Sequence, residues 1–299
     1  MTTLSPESVA ADPLLTAAAV RLSAPAVQTL PLVVASPHSG TAYPAPFLAQ
    51  ARLPMARLRA SEDTHMETMM AAAPGLGAPL LAALFPRVFL DVNREPWELD
   101  PAMFSEPLPA FANTTSPRVR AGLGTLPRLA GDGHPIYARR LPLAEAECRL
   151  ARHYHPYHDT LTRLLRQTWV RFGHALLLDC HSMPSSALEE ERSWNRPDVI
   201  LGDRHGTACD PLVTDTTEAV LRDLGLRVRR NRPYAGGYTT RHYGHPEAGV
   251  HALQIEVNRA LYMDERSRRP TEGLARLSQC MTVLLEAVGA LPRRSLAAE

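Results

Sequence analysis

The sequence contains no lysine, and its 32 basic residues, all arginine, are set against 31 acidic ones. Charges that nearly cancel exclude the positive excess that binding nucleic acid or an anionic membrane surface requires, so neither partner is expected. Arginine offers a planar fork that grips carboxylates through two hydrogen bonds, which points to acidic ligands, although a GC-rich genome gives the same bias. Cysteines are few. Cys148, Cys180, Cys209 and Cys280 form no C-x-x-C pair, which argues against a zinc ribbon or a disulfide framework and for a reduced, cytoplasmic protein. No basic stretch opens the chain, and Asp12-Pro13 interrupts its early apolar run, so no signal peptide is expected. No window approaches the roughly 18 apolar residues of a membrane-spanning helix. There is no G-x-S-x-G elbow for a serine hydrolase. Gly122-Leu123-Gly124 is no dinucleotide fingerprint, lacking a preceding strand, a following helix and a third glycine. Repeats and low-complexity linkers are also missing.

At 299 residues the chain can bury a sizeable core and fits one large α/β domain or two small ones. With no linker, a single domain over 1–299 is the expectation. Short apolar runs at 32–35, 88–90, 175–178, 199–201 and Val250–Asn258 read as strands, with 20–22 and 226–228 as further candidates. Between them lie amphipathic stretches. One starts at Ser61 or Asp63, runs through Met66, Met69, Met70 and Ala73, and stops at Pro74-Gly75. A longer one covers 143–172, with Pro156 expected to kink or divide it. Asp210-Pro211 opens another, and Leu274 to Val288 marks a closing helix. The alternation predicts an α/β three-layer sandwich with a mainly parallel or mixed central sheet. Residues 1–30 are weakly patterned, 79–85 has no firm assignment, and 189–195 and 232–245 read as loops. Residues 101–135, dense in proline and glycine, are a candidate active-site flap.

Several strands end in chemistry. Residues 32–35 run into S-P-H-S-G, 88–90 into D-V-N-R, 175–178 into D-C-H-S, and the 250–258 strand carries Glu256 among β-formers. Ligand sites of open α/β sheets lie at the carboxyl ends of the strands, so His38, Asn93, Arg94, His181 and Glu256 are expected in one polar pocket. Two imidazoles in matching settings suggest a metal. A hydrolytic zinc takes three protein ligands and keeps one position for water. A third ligand close after His38 would have to be acidic, yet position 41 is Thr; Asp63 is the choice, with Glu62 in reserve and His65 open. Asp179 is a candidate to orient an imidazole. A carboxylate is costly to bury alone, so Glu256 either pairs with an arginine or serves as general base, passing a proton from water to a leaving nitrogen. Asn93, Arg94 and Arg241 are the candidate substrate clamps, and an arginine beside zinc also stabilises an oxyanion. His153, His155 and His158 are assigned to helix packing, and Cys180 to an inert mid-strand thiol.

These residues carry a resemblance. S-P-H-S-G at 36–40, D-T-H at 63–65, L-D-V-N-R at 90–94, Y-H-P-Y-H at 154–158, L-L-D-C-H-S at 177–182, T-R-H-Y-G at 240–244 and Q-I-E-V-N at 254–258 stand in an order that resembles the N-formylglutamate amidohydrolase family. That family is similar in fold to zinc carboxypeptidases and aspartoacylase. The resemblance implies one zinc on His38, Asp63 and His181, a base at Glu256, and carboxylate recognition by Asn93 and Arg94 with Arg241 in the pocket. It implies hydrolysis of a small acidic N-acyl amino acid, N-formyl-L-glutamate first, with a related acyl-amino acid amidase, a carboxypeptidase or a non-catalytic binding relative as alternatives. The chain departs from the carboxypeptidase pattern at Thr41, where an acid three residues after His38 would stand, and at Thr64, where the family commonly has an aromatic.

Overall fold

The computed structural model describes residues 19–131, 133–189, 192 and 195–291. Most of the weakly patterned amino-terminal stretch and part of the 189–195 loop lie outside these. Seven strands form one sheet: β1 (Val20–Ser23), β2 (Leu32–Ser36), β3 (Leu80–Ala83), β4 (Ala175–Met183), β5 (Val199–Gly202), β6 (Val228–Arg230) and β7 (Val250–Asn258). Their order is β1-β3-β2-β4-β7-β5-β6. The four central strands β3-β2-β4-β7 are parallel, β1 and β5 are antiparallel to their inner neighbours, and β6 follows β5 in parallel. The sheet is therefore mixed, and helices cover both faces.

Each face has its own core, because side chains alternate along a strand. Val33, Ala35, Leu177 and Ala252 pack under the helix His155–Phe172, which buries Tyr157, Leu161, Leu164 and Leu165. Leu32, Val34, Leu178, Leu253 and Ile255 face the other way, toward Val213 and Leu221 of the helix Pro211–Asp223 and Leu277, Leu284 and Leu285 of the helix Glu272–Gly289. Burying each such side chain contributes about 1.5–3 kcal/mol, so the two layers hold the central strands firmly. Among the described residues, no helix is long and apolar enough to cross a membrane.

Several elements differ from the expectation. Residues 88–90 are buried but form no strand. Phe89 N and Leu90 N both donate to Pro86 O (2.9 and 3.3 Å), a turn set by the proline. The strand is β3, from the unassigned 79–85 segment, so D-V-N-R still emerges beyond a strand's carboxyl end. The helix expected from Ser61 breaks up, because His65 sits in the left-handed region at φ 66° and only Met66–Met69 is helical. Pro74 does not stop a helix. It occupies the first turn of Ala73–Leu76, where its missing N–H is no loss. Pro156 divides the 143–172 helix as expected, with the proline in the first turn of the second segment. The helix Leu143–Arg149 continues through a π-turn, Leu150–Tyr154, which absorbs the proline at the start of His155–Phe172. The expected 232–245 loop contains the helix Tyr238–Tyr243, whose tyrosines and threonines carry little helix propensity and are held by burial of Thr239 and Thr240. β6 lies two residues beyond the expected 226–228. Among the described residues of 101–135, the helical elements are a 3-10 turn, Pro101–Met103, and a short helix, Pro117–Arg120.

Candidate metal centre and substrate cavity

The alternation that fills the core also builds the site. In β4, Leu177 is followed on its face by Asp179 and His181; in β7, Ala252 is followed by Gln254 and Glu256. The parallel register sets Asp179 opposite Gln254 and His181 opposite Glu256. A slip of one residue would send all four to the opposite core. β2 ends at Ser36, and Gly40 allows the chain to leave, since a Cβ there would meet Phe85 O at 2.3 Å. Asp63 N then donates to His38 O (3.0 Å), which brings the 60s turn onto the β2 exit.

Three donors converge. His38 Nδ1 and His181 Nδ1 lie 3.1 Å apart, and Asp63 Oδ2 is 3.4 and 3.1 Å from them. All three residues are buried, and their ligand atoms fall within 4.8 Å of one another. The far side of each ring faces a carboxylate. His38 Nε2 donates to Asp91 Oδ1 (2.8 Å), and His181 Nε2 lies 3.0 Å from Asp179 Oδ2. A proton held on each Nε2 turns both Nδ1 lone pairs inward, the pairing that orients metal-bound imidazoles. Asp63 Oδ1 accepts from Arg259 Nη2 (3.0 Å) and Ser182 Oγ (3.3 Å), leaving Oδ2 for the imidazoles. Burial opposes the Asp63 carboxylate, yet hydrogen bonds from His181 and His38 hold it well below its ordinary range. Burial likewise opposes the His181 cation, but Asp179 and Asp63 hold it well above the usual imidazole value. Two imidazoles and a carboxylate with this orientation form a cluster that can bind a divalent ion.

The reserve residues are occupied elsewhere. Glu62 accepts from Tyr43 OH (2.7 Å) and Arg59 Nε (3.0 Å), and His65 Nε2 pairs with Arg268 O (2.9 Å). Glu256 pairs with Gln254, whose Nε2 donates to Oε1 at 2.8 Å, rather than with an arginine. Burial lifts its carboxyl to about 7; the His181 charge opposes this and Asp63 adds to it. A carboxyl poised there suits proton transfer near neutrality.

Beside His181 and Glu256 opens a cavity of about 490 Å³, walled by Asn93, Arg94 and three further arginines, Arg87, Arg118 and Arg259. Asn93 Oδ1 accepts from Thr239 N (2.8 Å), and Gly237 makes room for it, since a Cβ there would meet the Asn93 amide at 2.4 Å. Arg94 donates to Leu123 O (2.9 Å) and Asn93 O (2.6 Å) and lies 3.4 Å from Asp91 Oδ2. Leu123, Pro127 and Leu129 of the 101–135 segment complete the wall. Arg241 is not brought to this cavity. It pairs with Glu95 and lines a neighbouring pocket with Trp97, Phe111 and Tyr238. The helix histidines pack as expected: His158 bonds Tyr243 OH and Val92 O (both 2.9 Å), and His153 sits between Phe85 and Phe89. Cys180 lies in the opposite core, its thiol pushed up by burial.

Sequence reasoning missed Arg87, Arg118, Gln254 and Arg259. One signal was available. D-V-N-R at 91–94 recurs as E-V-N-R at 256–259, so an arginine stands three residues after each acid. Arg259 donates to Ser182 Oγ, Ala60 O and Asp63 Oδ1, each at 3.0 Å, so it positions the Asp63 carboxylate.

The sequence model of the family described as N-formylglutamate amidohydrolase matches residues 30–263. An N-formylglutamate deformylase of Pseudomonas aeruginosa is 34% identical over 241 residues, covering 80% of this chain and 84% of that one. One of Pseudomonas putida is 31% identical over 239 residues, covering 79% and 83%. The crystal structure of N-formylglutamate amidohydrolase from Ralstonia eutropha JMP134 superposes with a TM-score of 0.87 at 40% identity, covering 93% of this chain and 99% of that one. A gene product of Agrobacterium tumefaciens shares the fold at 18% identity, with a TM-score of 0.66. With a strand-end His-Asp-His cluster, a buried carboxyl beside it and these relatives, the chain is an amidohydrolase and belongs to the N-formylglutamate amidohydrolase family.

Proposed function

We propose that the protein is a zinc-dependent amidohydrolase that converts N-formyl-L-glutamate and water to formate and L-glutamate. The observation that carries this is the convergence of His38, Asp63 and His181 beside Glu256, at the end of an arginine-walled cavity. One zinc ion held by those three residues would supply Lewis acidity, polarising the formyl carbonyl and acidifying water. Asp91 and Asp179 keep the two imidazoles in the tautomer that faces inward, and Arg259 holds Asp63. Glu256 takes a proton from the attacking water and delivers it to the departing amide nitrogen. The neutral leaving amine is L-glutamate, and the carbon leaves as formate. Gln254 orients the Glu256 carboxylate through Oε1 and leaves Oε2 for the proton.

Asn93 and Arg94 receive the carboxylate next to the scissile amide. Three of Arg94's five N–H donors are engaged by Leu123 O, Asn93 O and Asp91, which leaves one on each terminal nitrogen, a fork suited to a carboxylate. Arg241, which faces another pocket, has no part in this arrangement. The 101–135 segment covers the substrate. Glu256→Gln, which keeps the shape and removes the base, should abolish turnover of N-formyl-L-glutamate while stoichiometric zinc stays bound by elemental analysis. Full activity in that variant would remove Glu256 from the mechanism. Hydrolysis of acetyl- or peptidyl-glutamate in preference to the formyl compound would change the acyl group assigned here.

A further inference from the structure

We propose that Arg118 is a specificity-determining residue that receives the distal carboxylate of the substrate, an assignment that rests on the reading of the cavity as an N-formylglutamate site. Four arginines line that cavity. Arg87 and Arg94 share Asp91 (2.9 and 3.4 Å), and Arg259 is tied to Asp63 (3.0 Å). Arg118 is the one whose guanidinium has no acceptor among the described residues, so its whole fork is available.

An exposed arginine without a partner is ordinary on a surface. Arg118 differs because its backbone is fixed against the catalytic wall. Val119 beside it is buried, and Ser116 Oγ accepts from Val119 N (3.0 Å). Arg118 O accepts from Leu123 N (2.8 Å), and Leu123 O accepts in turn from Arg94 Nε (2.9 Å). Two residues on, Thr125 O accepts from Asp91 N (2.8 Å). Gly124 packs so closely that a Cβ would meet Glu98 O at 2.3 Å. The two guanidiniums therefore rise from one hydrogen-bonded platform, Arg94 at a buried position and Arg118 at an exposed one. They feel each other. Burial first, then the Arg87 and Arg118 cations, pull the Arg94 guanidinium down to about 10 against the charge of Asp91.

Like charges on one wall favour an anion between them. A dicarboxylate has one group for each arginine: the carboxylate near the amide for Arg94 and the side-chain carboxylate for Arg118. A neutral side chain in the same place would leave Arg118 to water, with little penalty because it is exposed. Discrimination should therefore be gained on the acidic substrate, through its binding.

The test compares wild type, Arg118→Gln and Arg118→Lys on N-formyl-L-glutamate and its neutral isostere N-formyl-L-glutamine. Loss of a charged hydrogen-bonding partner predicts a fall of about tenfold to a hundredfold in kcat/KM for the glutamate compound in Arg118→Gln. The loss should be carried by KM, with the glutamine compound unchanged. Arg118→Lys, which keeps the charge, should retain a preference for the acidic amide. An unchanged glutamate-to-glutamine ratio in Arg118→Gln, whether from no loss or from equal loss on both substrates, would overturn the assignment. Wild type inactive toward both amides would instead overturn the parent reading, and this assignment with it.

Discussion

His181 stands between two carboxylates, Asp179 on its Nε2 side (3.0 Å) and Asp63 on its Nδ1 side (3.1 Å). That surrounding holds its imidazole well above the ordinary value, which favours the protonated ring in the metal-free protein. A divalent ion takes the same lone pair and must expel that proton, so metal affinity should rise with pH and weaken as the solution is acidified. Calorimetric zinc titration in buffers of different ionisation enthalpy measures this directly, with net proton release expected near pH 7. Absence of release would mean that the cluster binds metal without displacing a proton from His181. Glu256 has the complementary character: burial favours its neutral form, and it accepts protons most readily once ionised, above about 7 in the metal-free protein.

Strands and turns convert these residues into a site. Asp179, His181 and Glu256 are legible as strand-end chemistry because period-two alternation is written into adjacent residues. The Asn93 wall was harder to read. It depends on Gly237, whose backbone lies against the Asn93 amide and at the start of the helix Tyr238–Tyr243. Adding a methyl group there forces a contact of 2.4 Å, so Gly237→Ala should displace Asn93 from the cavity. A displacement of about 1 Å in a positioning group can cost roughly a hundredfold in rate, and kcat/KM should fall by that order. Circular dichroism should show the fold retained. Wild-type kinetics in Gly237→Ala would show that Asn93 does not need its present place. Sequence could not have shown this requirement, because Gly237 and Asn93 are brought together only when the helix Tyr238–Tyr243 packs on β7.

Across the whole molecule, the His38-Asp63-His181 cluster joins parts of the chain that are far apart in sequence. His38 and His181 are separated by 143 positions, and Asp63 comes from a turn between them. An ion bound there should cross-link β2, the 60s turn and β4. At a free concentration of about 100 times Kd it would stabilise by about 2.7 kcal/mol. For a protein of 299 residues that corresponds to a rise in Tm of roughly 4 °C. Chelation followed by desalting should lower Tm by that amount and abolish turnover, with one equivalent of zinc restoring both. An unchanged Tm on removal of bound zinc would place the ion elsewhere.

The sequence by itself determined which residue types end the central strands, and with them the α/β class, the two imidazoles and the Glu256 carboxyl, because alternation and turn chemistry act between near neighbours. Only the tertiary structure decided that β3 rather than 88–90 enters the sheet, that Asp63 rather than Glu62 turns toward the imidazoles, and that Arg118 and Arg259 rather than Arg241 face the cavity. The reason is physical. Glu62 is held by Tyr43, 19 positions away, and Arg241 by Glu95, 146 positions away. Whether a charged side chain is already paired depends on which distant segment packs against it, and local pattern carries no record of that.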